Sequence, residues 1–146
     1  MDQFSRVLLL IIIGVSLQAQ SDAPQKFVTE HQDHFGRYTA IGEETMMLDK
    51  EGNPEAIIWS LSYLRKEGEQ STGRPVMFIF NGGPGSASFW LHMGLFGPQL
   101  AQVASAANED DGAAPFVMID NPYSLLDLVD LVFIDPVGTG YSRVEI

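Results

Sequence analysis

The alternation of apolar and polar positions predicts a β-hairpin early in the chain. Arg37–Gly68 contains two runs rich in β-forming residues around the turn cluster DKEGNP, and in the second run Ile58, Ser60 and Ser62 alternate with larger apolar residues. A period of two is typical of strands. The preceding stretch APQKFVTEHQDHFGRY is polar and has no sustained period, which indicates irregular structure.

Two shorter runs are continuously apolar, and each precedes a glycine-rich loop. Arg74–Phe80 is followed by NGGPG, and Leu131–Ile134 is followed by DPVGTG. A continuous apolar run between turn residues favours a strand buried on both faces, as in a parallel sheet. Ser86–Gly97 predicts a short helix with Ser86 as its N-cap and Gly97 at its end.

The remaining segments complete an α/β pattern that is short of helices. Ala101–Pro115 is rich in alanine, carries acidic residues and indicates a loop, and the following FVMIDNPYS indicates a short strand running into a turn. A parallel sheet needs helices on both faces, and the pattern supplies one short candidate. The predicted fold class is therefore α/β, with an N-terminal β-hairpin leading into the parallel strands of an incomplete sheet.

The N-terminal segment has the pattern of an export signal. Arg6 precedes the apolar stretch Val7–Leu17, and small polar residues follow. A membrane-spanning helix needs about 20 apolar residues, so the shorter stretch favours a signal peptide over residues 1–21. Ala19 and Ser21 are spaced as at a cleavage site, and cleavage after Ala19 is the alternative. The alternative is a short uncleaved anchor. We expect residues 22–146 to form a domain exported to the periplasm or the extracellular space.

The charge balance is strongly acidic, with a formal net charge of −11 from 19 Asp and Glu against 8 Lys and Arg. No basic stripe is present to neutralise phosphates, which argues against nucleic acids and anionic membrane surfaces as partners. The sequence contains no cysteine, which excludes disulfide bonds and a cysteine nucleophile. We predict neither a cofactor nor a metal site.

Several interpretations compete for the NGGPG loop at residues 81–85. A phosphate-binding loop requires a lysine after its glycines, which this loop lacks, and the dinucleotide pattern G-x-G-x-x-G fails in the second loop because Arg143 stands at its third glycine position. A tight turn is the structural alternative. An oxyanion hole fits better, because glycines allow backbone N–H groups to approach a substrate and a following helix directs its positive end there.

The blocks NGGPGSAS, GLFGP and NPYSLLDLVDLVFIDPVGTGYSR together resemble the serine carboxypeptidase family, which has the α/β-hydrolase fold. Their order and spacing match from about Arg37 to Arg143, and the lack of cysteine is more like the bacterial members. The resemblance implies serine-type proteolysis from the C-terminus of a peptide through an acyl-enzyme. It leaves open acyl transfer to an alcohol, as in related acyltransferases, and a truncated, non-catalytic protein that binds peptides.

The resemblance also assigns site residues. Gly83 matches the glycine whose backbone N–H forms half of the oxyanion hole. Asn81 matches the asparagine whose side-chain amide binds the substrate's C-terminal carboxylate, and the N–H of Gly82 assists. Tyr141 is a candidate wall of the substrate cleft, with a purely structural role as the alternative. The implied partner is a peptide with a free C-terminal carboxylate.

The chain departs from the family pattern at the recognition network and at the triad. Many relatives carry Trp, Cys and a carboxylate where this sequence has Ile79, Ser86 and Leu95. The Trp and the carboxylate help to recognise the substrate carboxylate in those relatives. The family also needs a serine in G-x-S-x-G, and no serine here has both glycines, although Ser142 comes nearest.

The histidines do not fit the base of a triad. His31 and His34 lie upstream in polar sequence, in the wrong chain order, and we expect both at the surface. His92 lies inside the predicted helix and is expected to pack there or to face solvent. In the family the nucleophile lies downstream of the blocks matched here, so we expect an N-terminal portion of the enzyme that does not hydrolyse peptides alone.

Overall fold

A computed structural model of the chain describes residues 24–33, 36–66, 73–82, 85–102 and 117–145. Strands account for 53% of these residues. The strands are β1 (Lys26–Asp33), β2 (Gly36–Leu48), β3 (Pro54–Arg65), β4 (Val76–Ile79), β5 (Gln99–Gln102), β6 (Val117–Asp120), β7 (Asp130–Ile134) and β8 (Arg143–Val144). An α-helical turn, α1 (Phe89–Leu91), continues into a π-helical turn (His92–Phe96), and a 3₁₀ turn (Leu125–Asp127) precedes β7.

β2 and β3 form a long antiparallel hairpin, which confirms the prediction from the period of two. The Asp49 side chain stabilises the turn by accepting hydrogen bonds from the N–H groups of Glu51 at 2.9 Å and Asn53 at 2.8 Å. β1 pairs with β2 along its whole length, so the prediction of irregular structure before the hairpin is wrong. β1 is a mostly exposed edge strand, and such a strand needs no apolar pattern to form.

The larger sheet is mixed, with the strand order β1-β2-β3-β7-β4 and with β8 paired to the start of β3. β7 pairs antiparallel with β3 and parallel with β4. The expectation of parallel strands is therefore confirmed for β4 and β7. It is wrong for the sheet as a whole, because the antiparallel hairpin belongs to the same sheet. A mixed sheet with one short helix is compatible with part of an α/β fold.

The two apolar strands differ in burial. In β7, Leu131 and Phe133 are 0% and 1% exposed. In β4, Ile79 is buried but Phe78 is 63% exposed. The prediction of burial on both faces is thus wrong for β4, because this strand lies at the edge of the sheet and the described residues leave the face with Phe78 open.

The helix predicted over Ser86–Gly97 starts later than expected. α1 begins after Ser88 rather than Ser86, and the five residues that follow it, His92–Phe96, adopt π-helical geometry. Ser88 does not cap the helix with its side chain, because its hydroxyl and its N–H both donate to the Asp135 carboxylate. The predicted end at Gly97 is confirmed, since this residue follows the π-helical turn as its C-cap.

A small second sheet consists of β5 and β6 in antiparallel pairing. β6 confirms the short strand predicted after the acidic loop. The loop predicted from Ala101 is wrong at its start, where β5 continues, and residues 103–116 lie outside the described residues. After β6, Asn121 Nδ2 donates to the carbonyls of Leu95 and Gly97, both at 2.8 Å. The buried side-chain amide of Asn121 therefore connects the small sheet to the π-helical turn.

The core lies on one face of the larger sheet. Residues paired across neighbouring strands share a face, and the register that pairs Tyr63 with both Ala40 and Leu131 therefore brings apolar side chains together. α1 and the π-helical and 3₁₀ turns cover this face. The buried members of the core are Tyr38, Ala40, Tyr63, Ile79, Leu126, Leu131 and Phe133.

The predicted signal peptide over residues 1–21 lies outside the described residues. Within the described part of the chain, no helix combines the length and the apolar character that crossing a bilayer requires. All the described strands and turns belong to the segment that the sequence predicts as the exported domain.

A buried ion pair joins the ends of β1 and β3. Arg65 Nη1 donates to Asp33 Oδ1 at 2.8 Å, and Nη2 donates to Oδ2 at 3.1 Å. The two side chains are 3% and 6% exposed. Arg65 Nε also donates to the Leu126 carbonyl at 3.4 Å. The planar guanidinium thus connects two strands and the 3₁₀ turn, a use to which its fork of donors is suited.

We expect Arg65→Ala to lower the free energy of unfolding by about 3–5 kcal/mol, because it removes the cation that compensates the buried Asp33 carboxylate. Urea unfolding followed by circular dichroism measures the loss. Lys66→Ala is the control, since the Lys66–Glu30 pair is 53% and 55% exposed and its loss should cost less than about 1 kcal/mol. Similar effects of the two substitutions would contradict the assignment.

Candidate functional site

The two glycine-rich loops leave the larger sheet at the same edge. β4 and β7 are parallel neighbours in which Ile79 pairs with Phe133, so the segments that follow them start side by side. Ligands of open α/β sheets bind at the carboxyl ends of the strands. The first loop (residues 80–88) and the second loop (residues 135–142) therefore form the candidate site.

Asp135 connects the two loops through its carboxylate. Its side chain is buried, and Oδ1 accepts hydrogen bonds from the N–H and the hydroxyl of Ser88, both at 2.8 Å. Oδ2 accepts a bond from the N–H of Tyr141 at 3.3 Å. A buried carboxylate is costly unless hydrogen bonds satisfy its oxygens. Because the donors come from both loops, the carboxylate fixes the position of one loop relative to the other.

Gly140 allows this close approach. A Cβ on Gly140 would lie 1.9 Å from Asp135 Oδ2 and 3.3 Å from the Cβ of Ala87. Its φ of +52° and the φ of +98° at Gly85 both fall in the left-handed region that favours glycine. Backbone conformation and close packing between the loops therefore explain these two glycines, whichever ligand the site binds.

Asn81 and Gly82 lie near the start of the first loop, where the motif resemblance implies a site that binds the carboxylate of a substrate. Asn81 is half-buried, and its Nδ2 donates to the Ala87 carbonyl at 3.3 Å while its Oδ1 accepts the N–H of Gly82 at 3.0 Å. Gly82 is exposed, and a Cβ there would have no neighbour within 4 Å. The structure thus brings both residues to the carboxyl edge of the sheet. Gly83, the predicted oxyanion donor, lies outside the described residues.

Tyr141 and Ser142 have opposite environments in the second loop. The Tyr141 side chain is 72% exposed, and its ring centroid lies 5.4 Å from that of Trp59. Ser142 is buried, and its hydroxyl donates to the Asp135 carbonyl at 2.7 Å and accepts the N–H of Trp59 at 2.8 Å. Ser142 therefore joins the second loop to β3, whereas Tyr141 presents its ring at the surface.

Two of the three residues that depart from the matched motifs, Ile79 and Leu95, are aliphatic and carry no side-chain donor. Ile79 is buried in the core, and Leu95 is exposed. Neither side chain can therefore take the place of the Trp or the carboxylate that the motif resemblance leads one to expect at these positions. At the start of the first loop, the amide of Asn81 and the N–H of Gly82 are donors suited to an anion.

His92 packs in the core close to the site. Its Nε2 lies 2.7 Å from the Tyr63 hydroxyl, and its ring centroid lies 4.8 Å from that of Phe133. Burial lowers the pKa of His92 to about 4, although the charge of Asp135 acts in the opposite direction. Burial also raises the pKa of Tyr63. The pair is therefore uncharged at neutral pH, and His92 occupies the packed one of its two expected positions.

His31, the first of the upstream histidines, has its contacts within β1 and β2. His31 is exposed on β1, where it stacks on Tyr38 with a centroid separation of 5.2 Å, so its predicted surface position is confirmed. His34 lies outside the described residues. Among the residues that the structure describes, no cluster of three or more His, Cys, Asp or Glu side chains could hold a metal ion.

Sequence reasoning missed the role of Asp135 and Ser88. The available signal is the Asp-Pro pair directly after an apolar strand, which indicates a carboxylate at the carboxyl end of that strand. Its partner Ser88 is 47 positions away, and no local pattern indicates that contact.

No protein-family model and no curated protein matches this chain.

We expect Gly140→Ala to destabilise the protein more than Gly138→Ala. Both residues have positive φ, which costs an alanine about 1–2 kcal/mol. A Cβ at Gly138 would meet nothing within 4 Å, whereas one at Gly140 would collide with Asp135, which adds roughly 1–3 kcal/mol. Urea unfolding of both variants measures the difference, and equal losses would show that the loops do not pack as described.

The pKa of His92 makes stability depend on pH. This pKa is about 4 in the folded chain, against a reference value of 6.5. Between these values the unfolded chain binds a proton that the folded chain excludes, so the free energy of unfolding falls as pH falls through this window. The contribution is complete above the window and amounts to roughly 3 kcal/mol.

Urea unfolding at several pH values across this window measures the effect. His92→Gln should remove this part of the pH dependence, and His31→Gln, at an exposed position, should retain it. A wild-type slope that survives in His92→Gln would assign the pH dependence to other groups.

Proposed function

We propose that this chain supplies the substrate-binding loops of an exported serine-type carboxypeptidase with an α/β-hydrolase fold. The observation that supports this most is the exit of the two glycine-rich loops from parallel neighbours, which puts Asn81 and Gly82 at the carboxyl edge of the sheet. The motif resemblance supplies the class of reaction. The geometry supplies a physical reason for the two loops to act together.

The donors of the first loop can hold a carboxylate without a cationic side chain. Asn81 Nδ2 carries two N–H groups, and one of them donates to the Ala87 carbonyl over a long 3.3 Å. The N–H of Gly82 donates to the neutral Oδ1 of Asn81. A substrate carboxylate would replace this contact with a charge-assisted hydrogen bond, which is shorter and stronger.

In the proposed reaction, a serine attacks the peptide carbonyl while a histidine takes its proton and an aspartate orients the histidine. The motif assigns the N–H of Gly83 to the developing oxyanion, where one donor contributes roughly 3–4 kcal/mol. No serine of this sequence lies in G-x-S-x-G, so the proposal assigns binding and oxyanion stabilisation to these residues and leaves the nucleophile unassigned.

A clamp for the C-terminal carboxylate also accounts for the direction of cleavage. If the last carboxylate of a peptide is fixed at Asn81, the peptide bond next to the oxyanion donor is one close to that terminus. Binding energy at the carboxylate is then used to position the carbonyl that reacts. Endopeptidase substrates, which lack a carboxylate at this point, would lose that contribution.

We expect Asn81→Ala to weaken binding of an N-acetyl dipeptide with a free carboxylate by roughly 10-fold or more, because a hydrogen bond to a charged group is lost. The wild-type chain should bind the corresponding C-terminal amide less tightly than the acid. NMR titration of the chain with the two peptides measures both affinities and reports shifts at the Gly82 amide.

Asn53→Ala is the control for this test, because Asn53 lies in the hairpin turn and bonds Asp49 there. It should bind the acid as the wild-type chain does. Equal affinity of the wild-type chain for acid and amide would count against the proposed function.

A further inference from the structure

Three aromatic rings form a row beside the candidate site, which we call the aromatic row: Phe27, Trp59 and Tyr141. The centroid of Phe27 lies 6.4 Å from that of Trp59, which lies 5.4 Å from that of Tyr141. The rings come from β1, β3 and the second loop, and none belongs to the core cluster. Phe27 is 56% exposed, so the two ends of the row are open to solvent.

The central ring of the row is held by its surroundings. The Trp59 indole lies over Gly42, where a Cβ would come within 2.9 Å of two indole carbons. The backbone that carries the ring is fixed as well, because the backbone N–H of Trp59 donates to Ser142 Oγ at 2.8 Å and its carbonyl accepts the N–H of Asp135 at 3.1 Å. Aromatic side chains held in this way present a large contact area at a small cost in conformational entropy.

The aromatic row is continuous with the candidate site through the second loop. The backbone N–H of Tyr141 donates to Asp135 Oδ2, and the other oxygen of this carboxylate accepts the N–H of Ser88 in the first loop. Gly140, directly before Tyr141, lies against Ala87, whose carbonyl accepts the Asn81 amide. One end of the row therefore has a fixed position relative to the proposed carboxylate clamp.

The charged groups beside the row compensate one another. Glu44, which pairs across the strands with Trp59, accepts a hydrogen bond from Arg143 Nη1 at 2.7 Å and another from the N–H of Gln25 at 3.0 Å. The bond from Arg143 holds the pKa of Glu44 below its usual value. A carboxylate with its own cation attracts a lysine or arginine side chain weakly, so the surface favours a neutral aromatic occupant.

We propose that the aromatic row binds aromatic side chains of an extended peptide substrate upstream of its C-terminal carboxylate, a proposal that rests on the proposed function. Alternate side chains of an extended chain recur about every 6.6–7 Å on one face. The ring separation of 6.4 Å is close to this repeat, and the separation of 5.4 Å is about 1 Å shorter than it. The preferred substrates are therefore peptides with aromatic residues at alternate positions before the last residue.

Calorimetric titration of the 146-residue chain with N-acetylated pentapeptides tests the proposal. The peptides carry Phe, Ala or Lys at two alternate upstream positions, each as a free acid and as an amide. We expect the Phe peptide to bind about 3- to 10-fold more tightly than the Ala peptide. Tyr141→Ala and Phe27→Ala should remove most of this preference.

Tyr123→Ala is the matched control, because Tyr123 is an exposed tyrosine, at 83%, outside the row, and it should leave the preference unchanged. Gly42→Ala tests the central ring indirectly, since it displaces the Trp59 indole while every aromatic residue is kept. It should weaken the preference for Phe with no change in far-ultraviolet circular dichroism.

Equal binding of the Phe and Ala peptides, tighter binding of the Lys peptide, or a Phe preference that persists in Tyr141→Ala would each overturn the proposal. The comparison of acid with amide tests the proposed function separately. If acid and amide bind equally while the Phe preference depends on Tyr141, the aromatic row stands as a peptide-binding surface and the carboxypeptidase proposal fails.

Discussion

The hydrogen bonds to the buried carboxylate of Asp135 determine the geometry on which the candidate site depends. A charge removed from water must be surrounded by donors, and here these donors are backbone and hydroxyl groups of two loops that are distant in sequence. The sequence contains no cysteine, so disulfides do not fix these loops. The carboxylate of Asp135 instead fixes the first loop, which contains Asn81, relative to the second loop, which contains Tyr141.

One face of the larger sheet carries both the hydrophobic core and the aromatic row. Trp59 and Tyr63 are separated by an even number of positions on β3 and therefore point to the same face. Tyr63 is covered by the π-helical turn and contacts His92 and Phe133. Trp59 lies beyond that cover and contacts Phe27 and Tyr141. Because the helical segment is short, it covers the core residues around Tyr63 but not Trp59. An aromatic surface therefore stays accessible near the loops.

Local sequence patterns predict the secondary-structure elements that neighbouring residues alone determine. The hairpin, the apolar strands before the glycines and the end of the helical segment at Gly97 follow from alternation, composition and turn residues. β1 could not be predicted in this way, because an exposed edge strand needs backbone pairing and no apolar pattern. The late start of α1 depends on the bonds between Ser88 and Asp135. The exposure of Phe78 depends on its place at the sheet edge, which is a property of topology and not of composition.

The same separation between local and distant contacts has a kinetic consequence. The hairpin turn is closed by contacts such as Asp49–Asn53, which spans four positions, whereas Ser88–Asp135 spans 47 and Trp59–Ser142 spans 83. The entropy lost on closing a loop grows with its length, and contacts between distant residues slow folding. We expect the hairpin to belong to the folding nucleus and the two loops to dock after the rate-limiting step. Changes in the loops would then mainly increase the rate of unfolding, so the lifetime of the folded chain, more than the speed at which it forms, would depend on the residues of the two glycine-rich loops.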